Sequence, residues 1–142
     1  MGNRAVITTA KGDNKTKLGI YLHWNGGRDS VRAFLRYAKM RQFRAPETDN
    51  YGWARLAQII ANFFGKDGTS IGVDIVDRLD CNNWDNGVYL IENWEIVGRE
   101  YFNGVEQYIH PLDQMLFDID ASQPADQQLG EERIKQLLNE EN

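Results

Sequence analysis

Three arginines at helical spacing, Arg28, Arg32 and Arg36, follow a glycine turn, Asn25-Gly26-Gly27, that is itself preceded by His23 and Trp24. Residues four apart share one helix face, so a helix over this stretch aligns three guanidinium forks. Such forks match the paired oxygens of phosphate and carboxylate. Glycines let backbone approach a ligand closely, and a helix N-terminus favours negative charge. Trp24 offers a face on which a base or ring stacks. The chemistry expected of His23, Trp24, Asn25, Gly26, Gly27, Arg28, Arg32 and Arg36 is therefore anion binding. The bland alternative is a strand-to-helix turn followed by solvated arginines. The run is no P-loop, because neither Lys-Ser nor Lys-Thr follows the glycines, and it lacks the G-x-G-x-x-G spacing of a dinucleotide fingerprint.

A catalytic reading needs His23 as acid or base, with Arg28 and Arg32 stabilising charge. No nucleophile–base pair with a known signature accompanies them. Cys81, His23 and His110 are scattered along the chain. The acidic set Asp74, Asp77, Asp80 and Asp85, with Asn82 and Asn86, fails the EF-hand pattern: counted from Asp80, Trp84 takes the fifth position. Three Cys and His residues in all are too few for a structural zinc site. No catalytic residue, metal site or cofactor is expected. Trp84 lies in a polar loop, where a large ring is either folded back or held out for a partner.

The elements that must position the arginines follow from periodicity. Ala5 to Thr9 and Leu18 to Trp24 are β-branched or apolar runs around a polar loop, which predicts an N-terminal hairpin. Val31, Phe34, Leu35 and Ala38 mark one buried stripe of a helix over Ser30 to Gln42, with Asp29 or Ser30 as its cap. Trp53, Leu56, Ile59, Ile60 and Phe63 mark a second helix over Asp49 to Phe64, stopped at Gly65. Being more apolar, it is expected to lie deeper against the sheet. Further strands are predicted over Ile71 to Val76, Val88 to Ile91 and Trp94 to Phe102, with one more short strand over Glu106 to Ile109. Leu112 to Ile119 suggests a short helix. The sum is an α+β fold: an antiparallel β-sheet, two principal helices packed on one face and a short C-terminal helix. The expected organisation is one domain over residues 1–119, then an acidic linker and short helix over 120–142, dispensable for folding.

Composition narrows the class. A chain of 142 residues with 42% hydrophobic residues can bury a core of its own. It holds no apolar run long enough for a transmembrane helix, and the start has no signal-peptide core, so a cytoplasmic location is expected. The single Cys81 leaves no internal disulfide. The net charge of −5 hides a polarised layout. Arg28, Arg32, Arg36, Lys39, Arg41 and Arg44 face only Asp29 in their stretch, whereas acids dominate residues 67–106 and the tail. Nucleic acid is therefore a disfavoured partner, and an acidic tail mimicking its backbone is a minor alternative.

The runs GIYLHWNGGRDSV, YGWARLAQIIANFFG and DNGVYLIENWEIVGREYF resemble an uncharacterised family of small proteins carried by bacteria and their phages, over about residues 1 to 105. The resemblance implies a small intracellular protein of a phage or other mobile element. The expectation is a non-enzymatic binding protein that modulates or inhibits a host (defence) system, through a host protein surface or by sequestering a phosphorylated small molecule. A homodimer is compatible with it. The alternatives are a small enzyme acting on a phosphate-bearing substrate and a DNA-binding or DNA-mimicking factor.

Overall fold

The computed structural model describes residues 2–141, with backbone alone over 67–69. It is an α+β fold in the order β1 (Ala5–Thr9), β2 (Leu18–Leu22), α1 (Arg28–Met40), α2 (Tyr51–Phe64), β3 (Ile71–Ile75), β4 (Val88–Glu92), β5 (Glu95–Glu100), α3 (Leu112–Ala121) and α4 (Glu131–Glu140). The strands form one sheet ordered β3-β2-β1-β4-β5. All pairings are antiparallel except β1 with β4, which run parallel. Parallel neighbours need a long crossover, and here the chain makes β2, two helices and β3 before it returns beside β1.

β1 is buried along its whole length, as expected of a central strand without an exposed face. On one face Ala5, Ile7, Ile20, Leu22, Tyr89 and Ile91 join the helices in a single core. On the other, Val6 and Val88 are also buried, and Val76 and Leu79 close over Gly19. The turn-rich segment after β3 thus covers the face that the helices do not.

Helix α1, not α2, lies deepest. The predicted stripe of Val31, Phe34, Leu35 and Ala38 is buried, and so are Ala33, Tyr37 and Met40 on the far side. The reason is α3, whose Met115, Leu116 and Ile119 belong to the same core and whose Asp120 accepts the Tyr37 hydroxyl at 2.5 Å. Periodicity locates α3 along the chain but does not say that it packs on α1. Helix α1 also starts earlier than predicted, at Arg28 with Gly27 as N-cap, so Asp29 lies inside its first turn. The short strand expected over Glu106 to Ile109 does not form; that segment crosses the start of α1 instead.

The stretch from Asp120 onward, expected to be a linker and separable helix, is tied to the fold. The Asp120 carboxylate accepts the N–H groups of Leu129 and Gly130, at 2.7 and 2.9 Å. Gln123 is buried and donates to the Ile59 and Ile119 carbonyls. Ile134 of α4 is fully buried within the common core. No helix among the described residues is long and apolar enough to cross a membrane.

Candidate functional site

The structure separates the glycine turn from the arginines that follow it. Gly26 is packed against the N-terminal segment: its N–H donates to the Asn3 carbonyl at 2.9 Å, and a Cβ added to it would lie 2.4 Å from that oxygen. Its own carbonyl accepts the Tyr89 hydroxyl at 2.6 Å. A Cβ at Gly27 would meet Gln107 Oε1 at 2.1 Å. Gly26 is thus required by backbone of the protein's own chain, and Gly27 makes room for the Gln107 side chain. The first turn of α1 is answered in the same way. Asp29 N–H donates to the Gln107 carbonyl at 3.2 Å, and Ser30 N–H to the Asp29 carboxylate at 2.7 Å. The second Asp29 oxygen accepts His110 N–H at 2.8 Å.

His23 and Trp24 stand apart from the arginines. His23 Nδ1 is 2.9 Å from the Tyr21 hydroxyl, and the indole of Trp24 meets its imidazole edge-on at 4.7 Å. His23 lines a surface pocket with Gly2, Arg4 and Asp85, not with Arg28 or Arg32. The catalytic trio of His23, Arg28 and Arg32 therefore does not share a pocket. Asn25 takes a left-handed backbone (φ +56) and donates through its amide to Ser30 Oγ at 3.2 Å.

The arginines do converge. Arg28, Arg32 and Arg36 line one cavity of about 150 Å³ between α1 and the start of β5, closed by Leu35, Trp94, Glu95 and Ile96. Their environments differ. Arg28 donates to Glu106 at 2.9 Å, and Arg36 pairs with Glu141 beyond the end of α4. Glu95 on the rim is 3.8 Å from Lys39. Arg32 is in no ion pair among the described residues, and its buried Nε has no hydrogen-bond partner among them. Buried polar atoms are nearly always satisfied, so the orphaned Nε–H of a cleft-lining arginine is a specific anomaly.

A second guanidinium holds this corner together. Arg99 lies between the rings of Tyr89 and Phe102, 3.8 and 4.0 Å from their centroids. It donates to Glu106 and to the Asn86 carbonyl. Glu106 thus bridges Arg99 and Arg28, fixing the first of the cleft arginines. The Nε of Arg99 also lacks a partner, but that side chain is enclosed by stacking rings rather than lining the cleft. Sequence reasoning missed Glu106, Arg99 and Trp94, which come from distant segments with no periodic link to α1.

A larger cavity, about 510 Å³, opens at the ends of β1 and β4 beside Leu18, Pro46 and Trp53. Its cations are already engaged: Lys17 donates to the Thr9 carbonyl at 2.7 Å, and Lys11 lies 3.9 Å from Glu92. The arginine cleft is the stronger candidate because one of its cations, Arg32, has no ion pair among the described residues. Among the described residues no cluster of His, Cys, Asp and Glu could hold a metal ion. No protein-family model, curated protein or solved structure matches this chain.

Proposed function

We propose that the protein is a non-enzymatic binder whose α1–β5 cleft captures one oxyanion, the phosphate of a phosphorylated small molecule. The observation that carries this reading is Arg32, which lines a cavity with Arg28 and Arg36, has no ion pair among the described residues and keeps a buried Nε without a partner. With roughly 30 Å³ of liquid volume per water, a cavity of about 150 Å³ has room for a phosphoryl group but not for a whole nucleotide. Recognition would centre on the headgroup, with the remainder of the ligand outside. Leu35, Trp94 and Ile96 supply the apolar part of the lining, beside which charge-assisted hydrogen bonds are stronger than in open water. The resemblance of three sequence runs to small bacterial and phage proteins supports a setting in which such a binder modulates a host system.

Calorimetric titration with inorganic pyrophosphate and with adenosine monophosphate tests this. Saturable binding is expected, weakened about tenfold or more in Arg32→Ala, since a charge-assisted contact is worth roughly 1.5–3 kcal/mol. Arg32→Lys should recover only part of the loss, because an ammonium lacks the two-pronged donor. Equal affinity in wild type and Arg32→Ala, or no heat with either ligand at millimolar concentration, would contradict the proposal.

A further inference from the structure

Trp84 is 87% exposed, and its backbone lies in the left-handed region at φ +66. Tyr101, beyond the end of β5, is 59% exposed at φ +56. Left-handed backbone is uncommon for large side chains and persists only where the surroundings impose it. At Trp84 that constraint comes from buried Asn83. Its amide oxygen accepts the N–H groups of Asp85 and Gly87, and its NH2 donates to the Asp80 and Gly87 carbonyls. The loop carrying Tyr101 is pressed against it: a Cβ at Gly87 would lie 2.5 Å from the Tyr101 carbonyl oxygen. Two aromatic rings are thereby held out of the core by rigid loops, which is the reverse of hydrophobic burial.

The two rings line one pocket of about 370 Å³ with Asn82, Asp85, Phe102 and Asn103. Its surroundings are negative. Burial, then the charges of Glu100, Asp77 and Asp80, push the thiol of neighbouring Cys81 up against the smaller opposing charge of Lys17, so the three carboxylates outweigh the one cation beside this loop. Asp77 and Glu100 carry no ion pair among the described residues, and Asp80 and Asp85 share the single Arg4. Arg78 is turned to Asp74, at 3.7 Å. Exposed aromatic faces beside carboxylates that outnumber their cations complement a cation.

We infer that the Trp84–Tyr101 pocket docks a basic segment of a partner protein, one lysine or arginine side chain entering between the aromatic walls. This surface lies beyond the opposite end of β5 from the arginine cleft, and Arg99, stacked on Phe102 and joined to Arg28 through Glu106, runs between the two. The partner is expected at the aromatic pocket and not in the cleft itself.

The test follows the Trp84 indole N–H in NMR spectra while an Arg-Lys-Arg peptide, blocked at both ends, is added. A saturable shift is expected, falling with salt and absent with a Glu-Asp-Glu peptide. Trp84→Asn removes the ring but tolerates the left-handed backbone, and the Tyr101 amide then reports binding at least about fivefold weaker. The double variant Asp77→Asn, Glu100→Gln leaves both rings in place and should lose most of the salt dependence. The proposal is overturned if no signal moves at millimolar peptide, if the acidic peptide acts equally, or if Trp84→Asn binds as wild type does. It is equally overturned if a neutral disaccharide shifts the same signals and the basic peptide does not, or if sedimentation shows the surface consumed by self-association.

Discussion

At the scale of single residues, Arg32 differs from its neighbours in having no answer to its charge. Arg28 has Glu106 and Arg36 has Glu141. Leaving a partly buried guanidinium unsatisfied opposes folding, so its presence argues for a role other than stability. Replacing Arg32 with Met, which keeps the apolar stem, should leave the melting temperature unchanged or raise it. A fall of several degrees would show that Arg32 supports the core instead. The spacing of the three arginines was legible in the sequence; their difference was not, because it is made by Glu106 and Glu141, acids far along the chain. The acid limb of stability has its own residue. Burial alone would raise the Asp85 carboxyl, but hydrogen bonds and charge from Arg4 outweigh that and hold it below its ordinary 3.8. A group held low in the fold contributes stability that is present above about pH 4 and fades as pH falls below it. Asp85→Asn should therefore lower the melting temperature more at about pH 6 than at about pH 2.5. An equal loss at both would mean that the Arg4 pair does not shape the pH dependence.

At the scale of elements, the two principal helices and all five strands could be read from periodicity and turn residues. Their depth could not. Helix α2 has the more apolar sequence, yet α1 is the enclosed one, because α3 covers the side that its arginines do not occupy. The same long-range packing decides the fate of the tail. Its composition suggested a dispensable end, but a single isoleucine, Ile134, reaches full burial, and Asp120 ties down the turn before α4. Ile134→Ala should destabilise the protein by about 2–5 kcal/mol, the range for emptying a buried aliphatic site. Thermal unfolding indistinguishable from wild type would return α4 to the status of an appendage. The glycine turn shows the limit of motif reading from the other side. Asn25-Gly26-Gly27 has the composition of an anion loop, but here the glycines admit the close approach of Asn3 and Gln107. Sequence cannot distinguish a glycine that makes room for a ligand from one that makes room for its own chain.

At the scale of the whole molecule, the polarised charge of the sequence becomes two surfaces beyond opposite ends of β5. The arginine cleft opens at its start, and the aromatic pocket with its carboxylates at its end. The edge strand β5 thus runs between the two surfaces, with Arg99 stacked on Phe102 at one and joined through Glu106 to Arg28 at the other. Where the anion sits decides between the arginine cleft and the glycine turn. The direct measurement is the set of arginine side-chain Nε–H resonances, recorded while pyrophosphate is added. The Arg32 signal should shift and its exchange with water should slow, while the His23 imidazole and the Gly26 and Gly27 amides hold still. Movement at the glycine turn with Arg32 unchanged, or no movement at any arginine, would contradict the account.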